Sequence, residues 1–101
     1  MKLIDGNTFV WGEKAKNVDA KPGVYIFYDK NGDVIYIGQS ENLKERFTTY
    51  FATNFENNAC KQNTVEYQRE FTTNHEEREK QLLEFSKRKF GRLPPCNEKV
   101  G

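Results

Sequence analysis

Sixteen consecutive residues, Gly23 to Gly38 (GVYIFYDKNGDVIYIG), constrain the fold of this chain more than any other segment. Gly23 to Tyr28 carries a run of β-branched and aromatic side chains, as in a buried strand. Asn31-Gly32 sits in the Asp29–Asp33 stretch that follows, and Asn-Gly is a strong hairpin-turn signal because both residues tolerate positive φ. Val34 to Gly38 returns as a second strand. The two are therefore expected to be antiparallel neighbours.

The rest of the chain reads as cover for this hairpin. Asn42 is placed to cap a helix, with Glu45 three residues on as an imperfect capping box. Leu43, Phe47, Tyr50 and Phe51 follow at helical spacing and are assigned to its core face. Residues 52–63 read as a polar loop. Thr64–Phe71 sets Val65, Tyr67 and Phe71 among polar residues, the pattern of a half-buried strand. Thr73 or Asn74 then caps a second helix that runs to Phe90. Gly91 is its stop, and Pro94-Pro95 lies beyond. Residues 1–21 form a polar extension with one short strand at Thr8–Trp11. The expected fold class is α+β: a three-stranded, mainly antiparallel sheet flanked by helices in the order β-β-α-β-α. With 101 residues there is room for one domain and one core.

No apolar run approaches the roughly 20 residues needed to span a bilayer. The N-terminus shows no basic stretch followed by an apolar one, so no secretory signal and no membrane attachment are expected. Cys60 and Cys96 are far apart, without a CxxC or zinc-like spacing. They are read as reduced thiols in a cytoplasmic protein. The formal net charge of +1 is a poor electrostatic footprint for a protein gripping DNA by itself. Lys80, Lys87, Arg88, Lys89 and Arg92 crowd the C-terminal quarter behind Glu76, Glu77 and Glu79. Either helix-dipole complementarity or a phosphate-facing patch accounts for that order.

Two strand tyrosines, Tyr25 and Tyr36, each stand beside a glycine-flanked strand end, where a backbone or ligand can approach. Either one alone is ordinarily a packing residue. Together they offer two phenols that can orient a water or remove its proton. Arg46 lies on the helix after the hairpin, at the edge of the apolar stripe. Its guanidinium suits a phosphate by charge and by its bidentate fork. A surface ion pair with Glu41 or Glu45 is the alternative.

The stretch GVYIFYDKNGDVIYIGQSENLKERFTTYF resembles the GIY-YIG nuclease superfamily, in particular the domain that begins the excinuclease subunit UvrC. GVY stands for GIY, YIG is intact, and Arg46 follows at the expected place. The dense similarity covers about 30 residues and, with the downstream helix and Asn97, extends from Pro22 to Asn97.

The resemblance implies a metal-dependent endonuclease acting on DNA phosphodiesters in repair or recombination. It implies Tyr25, Tyr36 and Arg46 as catalytic residues, with Gly38, Tyr50 and Asn97 in supporting or substrate-binding roles. It further implies a glutamate on the second helix that holds one Mg²⁺ or Mn²⁺. Distance back from Asn97 favours Glu84. Helical geometry favours Glu79, which at roughly 100° per residue shares a face with Leu82, Leu83, Ser86 and Phe90. Glu79 is the assignment. Which tyrosine activates water stays open. His75 is read as a surface residue. Family members commonly depend on another domain or partner protein for targeting, and one is expected here. The rival reading is a non-catalytic nucleic-acid-binding or docking module of the same fold.

Overall fold

The computed structural model describes residues 2–98. Its centre is one antiparallel sheet of four strands, β1 (Phe9–Val10), β2 (Gly23–Tyr28), β3 (Val34–Ser40) and β4 (Glu66–Phe71), in the spatial order β1-β4-β2-β3. The expected α+β architecture is present, with one strand more than the three anticipated. The extra strand is the short one in the N-terminal extension. It joins the sheet through Phe9↔Tyr67 and Val10↔Glu66. Two residues carry too little pattern to reveal so distant a partner.

β2 lies between β3 and β4, and all six of its residues are buried. Alternation along the strand divides them between two apolar clusters. Tyr25 and Phe27 face the side covered by α1 (Leu43–Thr53), while Val24, Ile26 and Tyr28 face α2 (His75–Phe90). Each aromatic or aliphatic side chain so buried contributes roughly 1.5–3 kcal/mol. The hairpin turns at Gly32, whose φ of 79° is the left-handed conformation glycine adopts without cost. Its register is Tyr25↔Gly38 and Phe27↔Tyr36, with an irregularity after Phe27 that brings both Ile35 and Tyr36 to the α1 side.

Asn42 caps α1 as expected, its Oδ1 accepting from the Glu45 N–H at 3.0 Å. Leu43, Phe47 and Tyr50 are buried, but Phe51 is 42% exposed, contrary to expectation. Eight steps of about 100° leave it about 80° around the helix from Leu43. Val65, Phe71 and Phe90 also lie exposed. At α2 the Asn74 side chain makes no cap bond, while Thr72 Oγ1 accepts from the Asn74 N–H at 3.2 Å. Gly91, at φ 78°, ends α2 as expected.

Residues 52–63 are more ordered than the polar loop anticipated. They hold 3₁₀ turns at Phe55–Asn57 and Lys61–Asn63. Asn54 to Asn57 all have positive φ, between 50° and 61°. Such geometry costs roughly 1–2 kcal/mol per residue, and burial of Phe55 against Trp11 and Phe27 offsets part of it. Trp11 packs on Phe27, Phe47, Tyr50 and Tyr67 as well, so the N-terminal extension fills the α1-side core.

The reduced-thiol expectation is overturned. Cys60 and Cys96 are joined in a disulfide, their Cα atoms 5.6 Å apart. A separation of 36 residues concealed a spatial neighbourhood made by α3 (Pro95–Glu98) folding back on β3. The cysteine argument for a reducing compartment falls with it. No helix among the described residues is long and apolar enough to cross a membrane.

Candidate active site

Gly38 is the floor of the site. Directly opposite Tyr25 in the hairpin register, it has no side chain, and Tyr25 lies in the space left open. An added Cβ would meet Tyr25 Cζ at 2.4 Å and its hydroxyl at 2.5 Å. Tyr36, diagonal to Tyr25 on the same face, has its ring centroid 6.0 Å away.

α1 sits over this pair and contributes Arg46 and Tyr50, one turn apart. The Tyr25 and Tyr50 hydroxyls are 2.8 Å apart. Arg46 donates through Nη2 to the Tyr50 hydroxyl at 2.9 Å and through Nε towards Tyr25 at 3.4 Å. Its guanidinium also stacks on the Tyr50 ring, 4.3 Å from the centroid. The ion pair weighed from sequence, with Glu41 or Glu45, does not form. Arg46 pairs instead with Glu56 at 3.0 Å, from the left-handed turn.

Lys61 closes the cluster from the other side. It is buried, donates to the Tyr50 hydroxyl at 3.3 Å, and stands 4.1 Å from the Tyr36 ring centroid. Asn97 reaches β3 from α3. Its Oδ1 accepts from the Ile37 N–H and its Nδ2 donates to the Ile37 carbonyl, both at 2.9 Å. The asparagine thus ties down the edge strand immediately beside Tyr36.

Glu79 and Glu84 part company on α2. Glu84 is exposed. Glu79 is half-buried and makes no ion pair among the described residues. Burial raises its carboxyl above the usual range, Glu76 raises it further, and His75 opposes both. Its charge reaches Tyr36 across the edge of the sheet, since β3 is an edge strand against which α2 packs. Thus Tyr25, Arg46 and Tyr50 are hydrogen-bonded together with the Tyr36 ring packed against Tyr25, whereas Glu79 joins them only through the field of its charge. His75, expected at the surface, is buried, with Nδ1 2.5 Å from Gln39 Oε1.

The phenols are not equivalent. Burial pushes Tyr25 well above its ordinary value, and Tyr50 and Tyr36 push it further. Tyr36 is raised by burial too, but Arg46 and the Tyr50 and Tyr25 hydroxyls work against that, while Glu79 adds to it. Lys61 is lowered, first by burial and then by Arg46. Beside the cluster opens a groove of about 430 Å³, where Arg46 and His75 stand among Glu41, Glu45 and Glu76.

The family model for the UvrC-like GIY-YIG domain matches residues 21–92. This chain belongs to that family. Among curated relatives, the UvrABC system protein C of Bartonella quintana is 41% identical over 73 residues, which cover 71% of this chain and 11% of that protein. The protein of the same name from Salmonella paratyphi B is 39% identical over 84 residues, 82% of this chain and 13% of the relative. The chain therefore spans about an eighth of the length of these relatives. The family match includes Tyr25, Tyr36, Arg46, Tyr50, Glu79 and Lys61 and stops before Asn97.

Lys61 and Glu56 escaped the sequence reading because both sit in a segment with no periodicity. One signal was available. Cys60 adjoins Lys61 and Cys96 adjoins Asn97, so a disulfide between them would have tied that segment to the end of the chain.

Proposed function

We propose that this GIY-YIG domain is a divalent-metal-dependent endonuclease that hydrolyses DNA phosphodiesters in excision repair. The observation that carries the reading is the cluster itself: Tyr25, Tyr50 and Arg46 hydrogen-bonded together, the Tyr36 ring packed against Tyr25 from the edge strand, and a desolvated carboxylate whose charge acts on Tyr36. A packing core has no use for a half-buried arginine and three hydroxyls in register.

Tyr36 is the phenol suited to handling water. Tyr25 is 1% exposed and cannot reach solvent, while Tyr36 is partly open. In this scheme Tyr36, in its phenolate form, orients the attacking water and takes up its proton, becoming the neutral phenol. Arg46, released from Glu56, neutralises charge on the non-bridging phosphate oxygens. Gly38 supplies the room that Tyr25 occupies, and Asn97 keeps the Tyr36 backbone in place.

Glu79 is the residue to hold one Mg²⁺ or Mn²⁺. The fit rests on a half-buried carboxylate with no ion-pair partner among the described residues, whose raised affinity for a proton a hard cation would relieve. No three His, Cys, Asp or Glu side chains cluster into a cage among the described residues, which suits a cation that keeps most of its waters. When bound, such a cation stabilises charge on the leaving oxygen.

Targeting is assigned to other domains or a partner protein. The net charge of +1 and the glutamates lining the groove give a weak hold on a polyanion. The same observations favour a second reading, a docking module that binds without cutting. Plasmid and branched DNA incubated with Mn²⁺ separate the two. Cleavage by wild type and by Glu84→Gln, lost in Glu79→Gln, is the expected result. Equal activity in Glu79→Gln would sink the metal assignment. A protein that cuts nothing, and whose Mn²⁺ binding is untouched by Glu79→Gln, would leave the docking module.

A further inference from the structure

The Tyr50 hydroxyl is approached by two cations. Arg46 Nη2 donates to it at 2.9 Å and Lys61 Nζ at 3.3 Å. A phenol oxygen has two lone pairs and one hydrogen. With both lone pairs taken by donors that cannot accept, the Tyr50 hydrogen must point outward, and Tyr25 oxygen is 2.8 Å away. Tyr25 then accepts from Tyr50 and, weakly, from Arg46 Nε at 3.4 Å. Its own hydrogen is turned away from Tyr50, and the ring of the third phenol, Tyr36, lies 6.0 Å off between centroids. Remove Lys61 and one Tyr50 lone pair is free, so Tyr25 can donate to Tyr50 and the chain can run backwards.

We propose that Lys61 is a positioning residue: together with Arg46, its buried ammonium fixes the direction of the Tyr50–Tyr25 hydrogen bond, so that Tyr50 donates to Tyr25 and the Tyr25 hydrogen is turned away from Tyr50. The inference rests on the nuclease reading for its catalytic consequence, though not for its electrostatic one.

Three further observations support it. Lys61 is 9% exposed, so its head group is committed to the cluster and is no snorkelling surface charge. Its aliphatic stem cannot wander, because the preceding residue, Cys60, is bonded to Cys96, and Asn97 beside Cys96 is clamped to Ile37. Lys61 and Asn97 are thus held against Tyr36 and its neighbour through one covalent link. Finally, both cations also stand over the Tyr50 ring, the Arg46 guanidinium 4.3 Å and the Lys61 ammonium 5.2 Å from its centroid, so each meets that phenol at its face as well as at its oxygen. The groups acting on Tyr36 come from every surrounding element: Arg46 and Tyr50 from α1, Tyr25 from β2, Lys61 from its 3₁₀ turn and Glu79 from α2.

The test compares wild type with Lys61→Met, which keeps the length and apolar stem but cannot donate, and with Lys61→Arg, which restores a donor. Phenolate formation is followed by ultraviolet difference absorbance as pH is raised, with circular dichroism confirming fold. The first phenol to ionise should do so about one pH unit higher in Lys61→Met, and Lys61→Arg should recover most of that shift. In DNA cleavage, kcat should fall about ten-fold in Lys61→Met with KM within two-fold, since the loss is confined to the chemical step. A well-folded Lys61→Met whose phenols titrate as in wild type overturns the proposal. So does a melting loss that Lys61→Arg fails to reverse, which marks a packing role alone. Should wild type cleave no DNA, the nuclease reading fails while the absorbance titration still decides the role of Lys61.

Discussion

Gly38→Ala puts the geometry of the site to its sharpest test. The backbone at Gly38 is not in the left-handed region, so alanine is conformationally acceptable there. The whole cost comes from its methyl group, which would meet Tyr25 Cζ at 2.4 Å. Restoring ordinary contact at 3.4 Å or more requires the ring to retreat by about 1 Å. Tyr25 is 1% exposed and ringed by Phe27, Phe47 and Tyr50, so the movement is forced into a packed core. Overpacking of this kind costs roughly 1–3 kcal/mol. Carrying the hydroxyl away from Tyr50, now at 2.8 Å, forfeits about 1 kcal/mol more. A total near 3 kcal/mol lowers the melting temperature by roughly 12–24 °C for a domain of this size. Cleavage should fall about a hundred-fold, because a displacement near 1 Å at the reacting groups has that order of effect. The assay is thermal unfolding by circular dichroism, with Gly12→Ala as control, since a Cβ there meets nothing within 4 Å. A Gly38→Ala protein melting within about 2 °C of wild type would refute the claim that Tyr25 lies against that glycine.

Three other outcomes are expected. Reducing the disulfide, or replacing Cys96 by Ser, releases a 36-residue separation and should cost about 4 kcal/mol on chain-entropy grounds. Denaturant midpoints with and without reductant measure it, and an unchanged midpoint would refute the cross-link. Glu56→Gln frees Arg46 from its ion pair; inorganic phosphate should bind more tightly by two-fold or more, read by calorimetry, and no gain would show that Glu56 does not compete. Stability should also fall in alkali. Tyr25, Tyr36 and Tyr50 all have folded-state values raised above 10.0, chiefly by burial. Their protonated forms therefore favour folding fully below about pH 10, and that contribution is lost as pH rises through their higher folded values. Denaturant midpoints at pH 8 and pH 10.5 test the sign, and equal midpoints would contradict it.

Local chemistry was legible without coordinates wherever neighbours in sequence are neighbours in space. The hairpin, its Asn-Gly turn, the Asn42 cap and the Gly91 stop all depend on contacts a few residues long, and all were readable in the chain. Helical periodicity alone separated Glu79 from Glu84, because the angle between them is intrinsic to any α-helix. Long-range pairing is another matter. The fourth strand, the Cys60–Cys96 bond, the burial of His75 and the placing of Lys61 beneath Tyr36 each join segments far apart along the chain. Closing such loops is decided by how two apolar faces of one sheet are covered, and that decision leaves no periodic trace in the residues it brings together. The residues of the candidate site were written locally; the buried lysine that stands among them was set in place by the fold.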